Sequence, residues 1–351
     1  MATHFYKTII DDIHQGGIKR TLVQDFKEIY HFYLDRETKE RLAAMGRFRR
    51  WYHTAYLILK NLLLKMSRVR RILLVVSIIL LLPLKENAIL LSFCVLLIIL
   101  MLELKDKLLA QDELAIGRAV QSALMPTETP DIPGWDIWLF TRAANEVGGD
   151  LVDYLEIEKD RVGIAMGDVA GKGLGAALFM SKLQATIRAL APNFDSLKKL
   201  AFKVNEIFCR DSLPNRFATL IYLEIHANSP EIRFVNAGHF PPIHLRKNNI
   251  QNLPQGNPAL GLTPDTKYDE NKIHLQDLDT LIIYSDGITE ARNTKGEFFG
   301  EQRFQDLLLS CQNNTAESSG KFLLDQVNQF IGDARLHDDM SLILIRKNSN
   351  T

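Results

Sequence analysis

Two uncharged apolar runs, residues 72–84 and 88–102, are separated only by Lys85-Glu86-Asn87, and they constrain the fold of this chain more than any other feature. As helices they extend roughly 20 and 22 Å, short of a ~30 Å hydrocarbon core unless flanking side chains snorkel, so a spanning and a re-entrant hairpin both fit. No acidic residue lies between Glu40 and Glu86, whereas Arg41, Arg47, Arg49, Arg50, Lys60, Lys65, Arg68, Arg70 and Arg71 accumulate there; Lys105 and Lys107 follow the second run. By the positive-inside rule this predicts a multi-pass protein of the cytoplasmic (inner) membrane, in contact with lipid, with both termini inside and the Lys85 turn outside. The first run begins too far from Met1 for a cleaved signal peptide.

The net charge of zero, 42 Lys+Arg against 42 Asp+Glu, hides a division. Residues 1–71 hold fifteen basic and seven acidic side chains, a net of +8, which leaves −8 for the rest. The basic cluster is accounted for by membrane topology, so no nucleic-acid partner is expected. Cys94, Cys209 and Cys311 lie far apart with no CxxC spacing, which excludes a disulfide framework and a zinc ribbon. Residues 103–124 contain no proline and read as a helix that ends at Pro126. Leu102, Leu109, Ile116 and Ala123 recur every seventh residue, pointing to a homodimer through 103–124, although Lys105 and Asp112 interrupt the stripe. The expected organisation is a basic helical region (1–71), a two-span hairpin (72–102), a linker or regulatory helix (103–125) and a soluble domain (126–348).

In that domain β-rich runs at 135–142, 151–157, 162–166, 218–225, 231–236, 242–246, 280–284 and 340–346 are grouped around helical patterns at 174–190, 196–211, 302–309 and 319–332. This order lacks the β-α-β rhythm of a doubly wound sheet and predicts an α+β sandwich, with 313–319 as a loop. Acidic residues mark the strand ends: Asp150 in EVGGD, with Asp153 beyond it; Asp168 in GDVAGKG; Asp286 in SDG; Asp338 and Asp339 in DDMS. Gathered on one sheet edge, such carboxylates repel one another and lose hydration, a cost that hard divalent cations remove. Oxygen-only ligation favours Mg²⁺ or Mn²⁺ over zinc. Each strand-end Asp alone reads as a turn residue; the ordered set does not.

Six blocks, ELAIGRAVQSALMP, EVGGDLVDY, GDVAGKGLGAAL, NAGHFPP, YSDGITEARN and HDDMSLILI, make residues 110–347 resemble the PPM-type metal-dependent protein serine/threonine phosphatases of the bacterial SpoIIE/RsbU-like branch. The resemblance implies a β-sandwich of two antiparallel sheets flanked by helix pairs, and two Mn²⁺ or Mg²⁺ ions. Asp168 would bridge the ions, helped by the Val169 carbonyl; Asp150 would serve one, Asp286 and Asp338 the other, and Asp339 is the alternative member of its pair. Asp168 and Asp286 are thus the expected catalytic pair. Asp153 would stand behind the ligands, His239 would support the site or edge the substrate, and Arg142 is a candidate for the phosphate-clamping arginine that this branch lacks. The implied substrate is a phosphoserine or phosphothreonine on a partner protein of the anti-sigma-factor antagonist type. The implied role of the helix at 113–124 is to couple the hairpin to the metal site. The competing reading is a catalytically inactive docking module of the same fold. A diguanylate cyclase fails because Leu151-Val152 follow GGD, and an NTPase fails because the GxxxxGK[ST] order is absent.

Overall fold

The computed structural model describes residues 30, 34–81, 86–211, 216–227, 229–247, 249–311 and 314–349. The chain divides into two compact units, Met1–Leu109 and Ala110–Thr351.

The described residues of the first unit form helices: α1 (Arg36–Ala43), α2 (Arg47–Lys65), α3 (Arg68–Leu81) and the start of α4 (Glu86–Leu124). Of the expected polar turn, Lys85 lies outside the described residues, while Glu86 and Asn87 lie inside α4. Polar pairs hold α3 against α4. Ser77 and Ser92 are fully buried, with their hydroxyls 2.7 Å apart; one donates to the other hydroxyl, which in turn donates to the facing backbone carbonyl. Arg70 reaches both Glu103 and Asp106. Among the described residues one helix, Asn87–Leu124, is long and apolar enough to cross a membrane; α3, with 14 residues, is about 21 Å long.

The second unit is a sandwich of two five-stranded antiparallel sheets. One has the order β1 (Trp135–Arg142), β10 (Met340–Lys347), β9 (Thr280–Tyr284), β6 (Ile243–Arg246), β7 (Asn249–Asn252); the other β2 (Leu151–Glu158), β3 (Arg161–Val169), β4 (Ala218–His226), β5 (Glu231–Ala237), β8 (Glu270–His274). Period-two alternation sorts the strands into three apolar layers. Ile343 and Ile345 of β10 face Ile221, Leu223 and Ile225 of β4 across the inner core. Leu342 and Leu344 turn outward to helices α8 (Glu301–Leu309) and α9 (Ala316–Ile331). Leu220 and Tyr222 turn outward to α5 (Leu174–Leu190) and α6 (Leu197–Arg210). Because both faces of β10 are covered, all eight of its residues are buried, which is why its centre, Leu342 to Ile345, reads as an apolar run.

Three details differ from expectation. Strands β7 and β8 are polar sheet edges without the alternation that would reveal them. Helix α9 begins at Ala316, inside the expected loop, because the Thr315 side chain accepts a hydrogen bond from the Ser318 N–H and caps the first turn. Strand β3 runs on through Val169, so Asp168 lies within it, paired with Thr219, and not beyond its end.

Candidate metal centre

Four backbone segments meet at one end of the sandwich. Asp150 opens β2, Asp168 and Val169 close β3, Asp286 is the first residue of the short helix α7 (Asp286–Thr289), and Asp338 and Asp339 lead into β10. Glycines allow the approach. A Cβ on Gly149 would lie 3.3 Å from the Val169 carbonyl and 3.6 Å from an Asp168 carboxylate oxygen, and one on Gly287 would overlap the Asp339 carbonyl.

Asp150 is 4% exposed and accepts a 2.6 Å hydrogen bond from the Ser341 hydroxyl. Burial and then the Asp168 charge push its carboxyl well above the usual range. Asp168 is pushed up to about 6, by burial first and then by Asp286, Asp338 and Asp339. Asp286 is raised by burial and Asp338. The carboxylates therefore stand within electrostatic reach of one another, and each opposes the next one's charge.

The other sequence candidates have distinct positions. Asp338 faces Lys172 at 2.9 Å. Asp339 accepts from the backbone N–H groups of Ala144 (2.7 Å), Gly149 (2.6 Å) and Asp150 (3.3 Å), so its carboxylate shapes the EVGGD loop. Asp153, expected behind the ligands, is instead spent on Arg188 of α5, with two 2.7 Å hydrogen bonds. Arg142 lines a cavity of about 380 Å³ together with Gln121, Gly148 and Asp150, but one end of its guanidinium donates to Asn328 at 2.7 Å. His239 is buried behind Asp168: its Nδ1 lies 3.1 Å from the Thr219 hydroxyl, which in turn accepts from the Asp168 N–H. Burial lowers its pKa to about 4, which favours the neutral imidazole.

Two residues that sequence reasoning passed over contact the backbone next to these carboxylates. Gln121 near the end of α4 donates to the Gly148 carbonyl at 2.7 Å and accepts from the Gly148 N–H at 3.0 Å. Arg216 donates to the Ala170 carbonyl at 2.8 Å. Neither sits in an acidic or glycine-rich pattern, and only the folded register exposes them.

The donor set tests whether divalent ions fit. It consists of carboxylate oxygens and a backbone carbonyl, with the His239 imidazole turned inward toward Thr219, which suits Mg²⁺ or Mn²⁺. Among the described residues no three such side chains close on one point as a finished cage; two of the carboxylates are instead held by Lys172 and Ser341. The fit lies in charge and donor chemistry. It gives a signed expectation. Asp168 is raised above its unfolded value, so its protonation stabilises the fold at low pH and that contribution is lost as pH rises from about 4 through about 6. A divalent ion requires the ionised form. The rise in thermal midpoint on adding Mn²⁺ is expected to be small at pH 5 and to grow by several degrees by pH 7.5; differential scanning fluorimetry at both values checks this.

Comparisons with known proteins place relatives around this fold. The family described as stage II sporulation protein E (SpoIIE) matches residues 158–348. Protein IcfG of Synechocystis sp. is 28% identical over 269 residues, 67% of this chain but only 42% of IcfG. Phosphoserine phosphatase RsbU of Bacillus subtilis is 27% identical over 239 residues, 68% of this chain and 70% of RsbU. The solved SiaA-PP2C domain of Pseudomonas aeruginosa has the same fold, with a TM-score of 0.62 at 19% identity over 69% of this chain and 99% of that domain.

Proposed function

The chain belongs to the SpoIIE family, and from that membership we propose that it is a membrane-anchored, metal-dependent phosphatase acting on phosphoserine or phosphothreonine of a partner protein, an anti-sigma-factor antagonist in a partner-switching pathway. One observation carries the reading: Asp150 and Asp168 from one sheet and Asp286 and Asp338 from the other come together at one end of the sandwich, where burial and mutual repulsion raise the first three. A fold gains nothing from such a cluster unless cations offset it.

Asp168 and the Val169 carbonyl would hold two Mn²⁺ or Mg²⁺ ions, with Asp150 on one and Asp286 and Asp338 on the other. When bound, such ions acidify a water and offset phosphoryl charge. The chain's own residues set the stage. Ser341 orients Asp150 by its 2.6 Å hydrogen bond. Asp339 fixes the loop that carries Asp150. Thr219 and His239 fix the Asp168 backbone from behind. Ser285 and Ser341 are tied to each other's segments, Ser341 N–H donating to the Ser285 hydroxyl at 3.0 Å, and neither is needed as a nucleophile.

The test is phosphate release from a phosphoserine peptide by the full chain in detergent with Mn²⁺. Turnover that stops on chelation supports the reading; binding of the peptide with no release in any divalent cation supports the docking module instead.

The membrane part of the proposal rests on the apolar α4 and the basic residues preceding α3, with the 72–102 hairpin anchoring the chain in lipid and residues 103–124 offering the seam for a homodimer. Gln121 gives α4 a direct grip on the EVGGD loop, which is the proposed route from hairpin to metal site. Gln121→Ala is expected to raise the Mn²⁺ concentration for half-maximal activity about tenfold while leaving the rate at saturating Mn²⁺ within about twofold. A metal titration of activity reads both quantities, and an unchanged titration would remove Gln121 from the route.

A further inference from the structure

We propose that Arg216 holds the phosphoryl group of the substrate beside Asp168, the role for which Arg142 was the sequence candidate; the assignment deepens the phosphatase reading and rests on it. The antiparallel register of β3 and β4 pairs Asp168 with Thr219 and Val169 with Ala218. It continues past the strand ends, where the Ala170 N–H donates to the Phe217 carbonyl at 2.9 Å. One step further sets Arg216 opposite Gly171, and its Nη1 donates to the Ala170 carbonyl at 2.8 Å, two residues from Asp168.

Two glycines make the seat for this guanidinium. A Cβ on Gly171 would overlap Nη1, and a Cβ on Gly175 would lie 2.9 Å from Nη2. Gly171 also holds a φ of +115°, which a side chain would strain.

The charge balance around the site singles out Arg216. Lys172 is paired with Asp338, Arg118 with Glu146, and Arg188 with Asp153. Arg142 is tethered to Asn328. Arg216 has one neutral carbonyl as its hydrogen-bond acceptor, and among the described residues no carboxylate forms a salt bridge with it. A phosphomonoester approaching four carboxylates needs positive donors, and a guanidinium fork matches two phosphoryl oxygens at once, which an ammonium does not.

The experiment compares the full chain with Arg216→Met and Arg216→Lys in detergent with Mn²⁺. Calorimetry measures the binding of inorganic phosphate, and 4-nitrophenyl phosphate turnover measures KM and kcat. Arg216→Met is expected to weaken phosphate binding about tenfold or more and to raise KM by a similar factor, with kcat and the half-saturating Mn²⁺ concentration within about twofold. Arg216→Lys, which keeps the charge and the fold without the fork, should lose about threefold. Unchanged phosphate affinity in both variants overturns the assignment. So does a loss that follows a shift in Mn²⁺ dependence, because Arg216 would then only brace the loop. If the unsubstituted chain binds phosphate but hydrolyses nothing, the phosphatase reading fails while the calorimetry still decides whether Arg216 holds the anion.

Discussion

Replacing Asp168 by Asn is expected to lower Mn²⁺-dependent phosphate release by at least about a thousandfold. The substitution conserves shape, so β3 and its pairing with Thr219 should persist. What changes is charge. Asp168 is the carboxylate whose neighbours Asp286, Asp338 and Asp339 all oppose its ionisation, so it stands electrostatically at the centre of the cluster. Removing a partner that merely orients a metal ligand typically costs 10–100-fold in affinity or activity, and a ligand shared by two ions should cost more. The same substitution relieves repulsion in the metal-free protein, so its thermal midpoint without ions should match or exceed that of the parent chain. Loss of activity together with retained stability distinguishes a functional carboxylate from a structural one; steady-state kinetics and scanning fluorimetry on one preparation read both.

Glu224→Ala should do the reverse. Glu224 lies on β4 five residues beyond Thr219, roughly 17 Å along the same strand, and is fully buried. It accepts two hydrogen bonds from Arg161, at 2.9 and 3.0 Å, and one from Arg233 at 2.6 Å. Arg161 goes on to the Phe194 carbonyl, and Arg233 to the Asp195 carbonyl and to Glu270, which receives the Leu197 N–H at the start of α6. Truncating Glu224 removes the buried carboxylate that two guanidinium groups share, and breaking a buried pair on one side costs about 3–5 kcal/mol. Urea unfolding followed by the fluorescence of Trp135 and Trp138 should show that loss, while Mn²⁺ dependence of activity in the folded fraction stays put. A shift below about 1 kcal/mol would mean that the network adds little to the fold.

These two residues lie on one strand pair and explain what was legible beforehand. The inner strands announce themselves because burial on both faces demands apolar runs, as in β9 and β10. The edge strands β7 and β8 do not, since one side of each needs no apolar cover. The proposed metal-binding carboxylates were readable because they stand at the ends of apolar strands beside glycines, a pattern with no benefit to folding. Which acidic residues are spent on the fold was not readable. Asp153 and Asp339 stand in the same motifs as the proposed ligands, yet Arg188 and three backbone N–H groups claim them. Those partners come from elements up to 195 residues away in the chain. Arg216 and Gln121 were hidden for the same reason, because their roles depend on a register that exists only after the sheets form.

The proposed membrane hairpin rests on a different kind of legibility. Charge bias predicts orientation, and the structure adds the Ser77–Ser92 pair and the Arg70–Glu103 and Arg70–Asp106 ion pairs between α3 and α4. Hydroxyl pairs of this kind hold apolar helices together where hydrophobic burial gives no preference.

The central claim is that a cluster of carboxylates, unfavourable by itself, exists to hold divalent cations. Calorimetric titration of the full chain with Mn²⁺ at pH 7.5 tests it most directly. The account predicts two ions bound per chain, at least one of them lost in Asp286→Asn and both weakened in Asp168→Asn; binding that is absent in the parent chain, or equal in all three proteins, would contradict it.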